Sequence, residues 1–279
     1  MRCILLASDF SSGARQALDR AVRLAIQTGA RLEVIHSAPD NKGDATLNTR
    51  LHSLVHRAAA GLGNEEIEIR SVVSIEDPRK AILDRAEKIG ADLIVLGGHG
   101  EPRFRDAIFG TTGTHVVRHS PVPVLIVQTD PTLPYAKLMV AADAPDAAAR
   151  LAESALEIAP AAQVFTVHAF HAGFVDLAGG DEVLNDLAAR EVEALQAALA
   201  RLAAAHPGAM LDAHRHIIAD PGEALTVLME EAERLVPDLV VMGTRHRGTY
   251  LSSRAVDACF WCPADLLIVP EPARTPVEA

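Results

Sequence analysis

The 279-residue chain has only three cysteines, Cys3, Cys259 and Cys262. That is too few for a disulfide framework, and a reducing compartment suits them best. Aromatic residues make up 4 % of the sequence, so Ala, Val, Leu and Ile must fill the core. Stacking platforms for single-stranded nucleic acid are correspondingly scarce. There is no excess of positive charge: 26 Lys and Arg stand against 37 Asp and Glu, a formal net charge of −11. This argues against a nucleic-acid partner as the main task. No apolar run approaches the roughly 18 residues of a membrane span. The opening MRCILLASDF turns polar at Ser8-Asp9, too early for a signal peptide. The expectation is a cytoplasmic protein with no membrane partner. What is present, 49 % hydrophobic and 23 % charged residues, is the composition of a packed protein, long enough for two ordinary domains.

Strand and helix signals alternate along the chain. Residues 3–7 (CILLA) have the length and apolarity of a strand buried on both faces. From Ser12 to Gln27 apolar residues return at helical spacing, with Ser11 suited to the N-cap and Gly29 to the stop. Residues 31–37 predict a second strand, 45–61 a second helix, and 66–73 a strand nearer the sheet edge. Asp77-Pro78 opens a third helix, with proline in the first turn, where its missing N–H matters little. Residues 92–96 (DLIVL) predict another buried strand, 111–119 a helix and 122–127 (VPVLIV) a last strand.

The order then repeats. KLMVAAD (137–143) echoes ILLASD (4–9), VFTVHA (164–169) echoes LEVIHS (32–37), and PADLLIV (263–269) echoes PVPVLIV (121–127). The stretch 220–243 echoes 77–97 in the same way, and the offsets stay between 132 and 146 residues. This is a duplication, with domains at 1–129 and 136–270, a two-proline linker at 129–135 and a flexible tail at 271–279. Strands alternating with helices predict parallel sheets covered on both faces. Ligands of such sheets lie beyond the C-terminal strand ends, so the informative residues should directly follow strands.

After DLIVL comes Gly97-Gly98-His99-Gly100, then nine residues, then Gly110-Thr111. Glycines let backbone N–H groups approach an anion, and a helix N-terminus reinforces the attraction. The bland alternative is that they merely close a turn between strand and helix. A P-loop is excluded, since no GxxxxGK[ST] occurs.

The pattern Gly97-x2-Gly100-x9-Gly110-Thr111 resembles the nucleotide-binding motif of the universal stress protein family. The strand-end Asp9, the His36-Ser37 pair, the Asp77-Pro78 helix start and RHSPVPVLIV (118–127) resemble that family too, and the likeness covers the chain as two tandem copies. The resemblance implies two tandem five-stranded parallel α/β sheets flanked by helices, Rossmann-like, forming a pseudo-dimer within one chain, with a homodimer of chains open. It implies a stress-response protein that binds ATP, with or without Mg, in its first domain, acting as sensor or regulator toward a protein partner, with at most slow hydrolysis. Ala7, Ser8 and Asp9 would line the nucleoside end, Ser37 the adenine edge and Gly97 the ribose. Gly100, Gly110, Thr111 and Thr112 would cradle the phosphates. The chain departs from the family pattern at Glu76, where glycine is frequent, and at Glu101, where a basic residue is common. The alternatives are a nucleotide-independent interaction or scaffold module, and an enzyme such as a nucleotidyl transferase, for which no HxGH-type signature is present.

In the second half the loop has changed. Gly243 remains, but His246 replaces the second glycine and Val256 stands where the third would be. Arg245, Arg247 and Arg254 with Ser252 and Ser253 read better as a solvated basic loop than as a phosphate nest. Cys259-x2-Cys262 has no second pair and reads as packing rather than a metal or redox site. The pairs His214/His216 and His115/His119 lack a third ligand. The amphipathic helix 181–205 has too few Lys and Arg on its polar face for a membrane anchor. No nucleophile–base pair or paired acid stands out, so no catalytic residue and no metal ligand is assigned.

Overall fold

The computed structural model describes residues 1–40, 45–62, 67–98, 110–170, 180–205, 217–221, 224–244, 258 and 262–271. The chain divides into two compact units, one built on Met1–Val127 and the other on Gln128–Met242 together with the start of the last strand.

The first unit runs β1 (Cys3–Ala7), α1 (Ser12–Thr28), β2 (Arg31–Ser37), α2 (Ala45–Gly61), β3 (Ile69–Ser74), α3 (Pro78–Ile89), β4 (Leu93–Gly97), α4 (Thr111–His119) and β5 (Val124–Val127). Its strands lie in the order β3-β2-β1-β4-β5 and pair in parallel. Ile4, Leu5 and Leu6 are all fully buried. Consecutive residues of a strand point to opposite faces, so both faces of β1 are covered. Right-handed crossovers place α1 and α2 on one face and α3 and α4 on the other. The direction of winding reverses between β1 and β4, which opens a crevice at their C-terminal ends.

Local signals account for the helix ends. The Ser11 hydroxyl accepts from the Ala14 N–H at 3.1 Å, and Asp77 caps α3 by accepting from the Arg79 N–H at 2.9 Å. Gly29 and Gly90 stop α1 and α3 in the left-handed region, at φ 68° and 61°.

The second half of the chain runs β6 (Lys137–Ala142), α5 (Pro145–Ile158), β7 (Gln163–Phe170), α6 (Gly180–Ala205), β8 (Ile217–Pro221), α7 (Ala224–Leu235), β9 (Leu239–Thr244) and β10 (Asp265–Pro270). Its order, β8-β7-β6-β9-β10, repeats that of the first. Ile4 lies opposite Leu32 and Leu93, and its counterpart Leu138 lies opposite Val164 and Leu239, the positions that the sequence echoes equate. Even the strand starts are fastened alike. Asp92 Oδ2 accepts from the N–H groups of Arg2 and Cys3 at 2.6 and 2.9 Å, and Asp238 Oδ2 from those of Ala136 and Lys137 at 2.8 and 2.7 Å.

The two-proline segment read as a linker is tied down. Asp265, fully buried, accepts at Oδ1 from the Gln128 N–H, the Thr129 N–H and the Thr129 hydroxyl, each at 2.8 Å. Its Oδ2 accepts from the Tyr135 hydroxyl at 2.6 Å. Among the described residues no helix is long and apolar enough to cross a membrane.

Candidate functional site

A cavity of about 430 Å³ opens at the C-terminal ends of β1, β2 and β4. Its volume is in the range of small-molecule sites. Ala7, Ser8 and Asp9 line it from the end of β1, Ser37 from β2, Gly97 from β4, and Gly110, Thr111 and Thr112 from the start of α4. Gly100 lies outside the described residues. Sequence reasoning missed the apolar walls, Ala14, Ile35, Ile82 and Leu96. A signal for one was present: Ile82 stands one turn beyond Pro78, on the face that α3 turns to the site.

Three helices, α1, α3 and α4, direct their N-terminal turns at this cavity through Ser11, Pro78 and Thr111. The positive ends of their dipoles favour an anionic ligand. Side chains cap α1 and α3, but Gly110 offers none to α4. The first helical bond of α4 is made by the Thr114 N–H to the Gly110 carbonyl at 3.0 Å. The amides of Thr111, Thr112 and Gly113 therefore precede the ladder, as donors at a helix start do.

The polar rim is held in place by its own bonds. Asp9 Oδ1 accepts from the Ser11 N–H at 2.9 Å. His36 Nδ1 donates to the Ser8 carbonyl at 2.7 Å, fixing the proton on Nδ1 and joining β2 to the β1 end. The Ser37 hydroxyl donates to the Glu76 carbonyl at 2.5 Å. At the α3 start the hydrogen-bonded Arg79 guanidinium, gripping Asp77 at 2.9 Å through both Nε and Nη2, holds that carboxyl down at about 2. The α3 cap thus stays ionised through the ordinary pH range.

The two described glycines of the motif have different reasons to be glycine. A Cβ on Gly97 would stand 2.5 Å from the Gly13 carbonyl carbon and 2.7 Å from the Ala14 nitrogen, so α1 packs directly on this backbone. At Gly110 φ is −58°, open to any residue, and nothing among the described residues lies within 4 Å of a Cβ there. Packing explains Gly97. Packing among the described residues does not explain Gly110, which puts no side chain at the α4 start.

The sequence profile of the universal stress protein family matches residues 1–128 and again 134–253. The chain belongs to the universal stress protein family. A Thermus aquaticus universal stress protein, from the QAH/OAS sulfhydrylase 3′ region, is 32 % identical over 135 residues, 46 % of this chain and 98 % of its own length. A universal stress protein of Archaeoglobus fulgidus has a solved structure that covers 97 % of this chain and 98 % of its own, with TM-score 0.66 and 16 % identity. A universal stress protein solved in complex with cAMP covers 46 % of this chain and 96 % of its own, with 28 % identity and TM-score 0.37.

In the second half of this universal stress protein the same strand ends are built differently. His168, like His36, donates from Nδ1 to the carbonyl at the preceding strand end, here Ala142, at 2.9 Å. It is buried, and its Nε2 lies 3.4 Å from Glu191 of α6. The connection from β6 to α5 is two residues, Asp143 and Ala144, whereas four residues join β1 to α1. His246, Val256, Arg245, Arg247, Arg254, Ser252 and Ser253 lie outside the described residues, as do Cys259, His214 and His216. Cys262 is buried, and desolvation pushes its thiol up to about 11. The His115 and His119 rings stack at 4.1 Å, and among the described residues no three candidate ligands gather around a metal position.

Proposed function

We propose that the first half binds one adenine nucleotide, ATP, in the cavity at the ends of β1 and β4, and that this universal stress protein works as a nucleotide-dependent sensor or regulator. The observation that carries this reading is the convergence of three helix N-termini on a cavity whose α4 edge, at Gly110, carries no side chain. In this reading Ile35, Ile82 and Leu96 flank the base, and Asp9 Oδ2 accepts from the ribose or base. Ser37 faces the adenine edge through its backbone, and the amides of Thr111 and Thr112 with the Thr111 hydroxyl meet the phosphates. Gly100 belongs to the same cradle by its place in the motif, and Mg, where present, sits on the phosphates. The domains proposed for these roles are 1–129 for the site and 136–270 for a partner lacking the glycine pattern.

Calorimetric titration of the full chain with ATP, with and without Mg, tests it. One site per chain is expected. Gly110→Leu should abolish binding by filling the α4 start, and Asp9→Ala should weaken it by roughly 1–3 kcal/mol. Two equivalent sites per chain, or binding indifferent to Gly110→Leu, overturns the assignment. No binding at all transfers the function to a nucleotide-independent interaction module.

A further inference from the structure

Beside the nucleotide cavity lies a second one, of about 210 Å³, walled by Arg15 of α1, Arg50, Leu54 and Arg57 of α2, and by Ser8, Phe10 and Ser11. Arg50, Leu54 and Arg57 recur at one helical face, and Arg15 stands in the first turn of α1. Three arginines thus line one polar hollow in a protein whose net charge is −11. Among the described residues, no carboxylate lies within ion-pair distance of any of the three. Elsewhere in this unit the exposed Arg70, Arg79 and Lys80 each have such a partner.

The floor of the hollow is built. Phe10 sits at φ 64°, a backbone region that bulky residues rarely occupy. Its ring packs at 4.4 Å on His36, and the Arg50 guanidinium lies over it, 4.4 Å from the centroid. A guanidinium laid on an aromatic face keeps its in-plane N–H donors available for an oxyanion. Ser11 uses its hydroxyl oxygen to cap α1, which leaves the hydroxyl proton to donate into the hollow.

We propose that this hollow is a second ligand site, for an oxyanion of the phosphate class held by Arg15, Arg50 and Arg57. A multiply charged phosphate matches several convergent guanidinium groups better than a single carboxylate does. The phosphate belongs either to a separate small phosphoester or to the phosphate chain of a nucleotide in the adjoining cavity, because Ser8 and Ser11 line both.

The test is calorimetric titration of the full chain with inorganic pyrophosphate at about 0.15 M salt, where non-specific surface attraction is screened. The proposal expects saturable binding that survives Gly110→Leu. Arg50→Gln with Arg57→Gln should weaken it about tenfold or more, with an unchanged thermal melt. No saturable site in the natural chain overturns it. So does binding lost in Gly110→Leu and intact in the double variant, which would place the anion at the α4 start. A failure of ATP to bind, with pyrophosphate binding as described, defeats only the nucleotide reading. Repeating the titration on ATP-saturated protein separates the sources: unchanged affinity assigns a separate phosphoester, and lost affinity assigns the nucleotide's own phosphates.

Discussion

The two halves keep the same scaffold and differ at the strand ends. Asp92 and Asp238 fasten the starts of their first strands, and His36 and His168 grip the carbonyls of Ser8 and Ala142. Beyond those carbonyls the halves part. In the first, a four-residue connection carries Phe10 and opens onto two cavities. In the second, two residues suffice, and the histidine is sealed against Glu191. A duplicated fold retains the bonds that hold its strands in register, because both copies need them. Connections outside that shared scaffold are free to change in length.

The largest expected contrast lies at the final strands. Asp265 occupies the position held by Pro123 in the first half, and its fully buried carboxylate satisfies four donors. Asp265→Ala would remove the carboxylate that accepts from the Tyr135 hydroxyl and the Thr129 donors, at a loss of about 4 kcal/mol. Pro123→Ala should change stability by less than about 1 kcal/mol. Urea denaturation midpoints compare the two, and equal effects would break the claim that only the second half relies on this clasp.

Next comes the pair of glycines within the first half. Gly97→Ala places a methyl 2.5 Å from the Gly13 backbone, which cannot move without shifting α1 off the sheet. The expected loss is about 3 kcal/mol. Gly110→Ala should leave stability within about 0.5 kcal/mol. If the urea midpoints reverse this order, Gly110 serves the fold rather than a ligand.

Much of this was legible in the sequence, and the reasons are local. Short apolar runs such as CILLA and DLIVL mark strands covered on both faces, and the Ser11, Gly29 and Asp77-Pro78 signals act within a turn of the helix ends they set. The cavity residues could be named because in a parallel sheet they directly follow strands. Asp265 could not be foreseen as a clasp, since its partners lie about 130 residues earlier in the chain. Nothing in Asp9-Phe10-Ser11 announces a phenylalanine in the left-handed region. Arg15 and Arg57 are brought to one hollow only by the packing of α1 against α2. Gly97 was named for a ligand, while its tightest contacts are with the α1 backbone.

The smallest expected effect has the opposite sign. Thr166 on β7 is fully buried, and among the described residues its Oγ1 has no hydrogen-bond partner. The matching position on β2 is Val34, equally buried and without a hydroxyl. Valine and threonine share a branched shape, so the exchange removes a desolvated hydroxyl without opening a cavity. Thr166→Val should therefore stabilise the chain by about 1 kcal/mol, whereas Val34→Thr should destabilise it by roughly 1–3 kcal/mol. Thermal and urea melts of both variants measure the pair. A stability loss in Thr166→Val would mean that the hydroxyl has a working partner in the second core, which would then differ from the first in its polar contacts as well as at its strand ends.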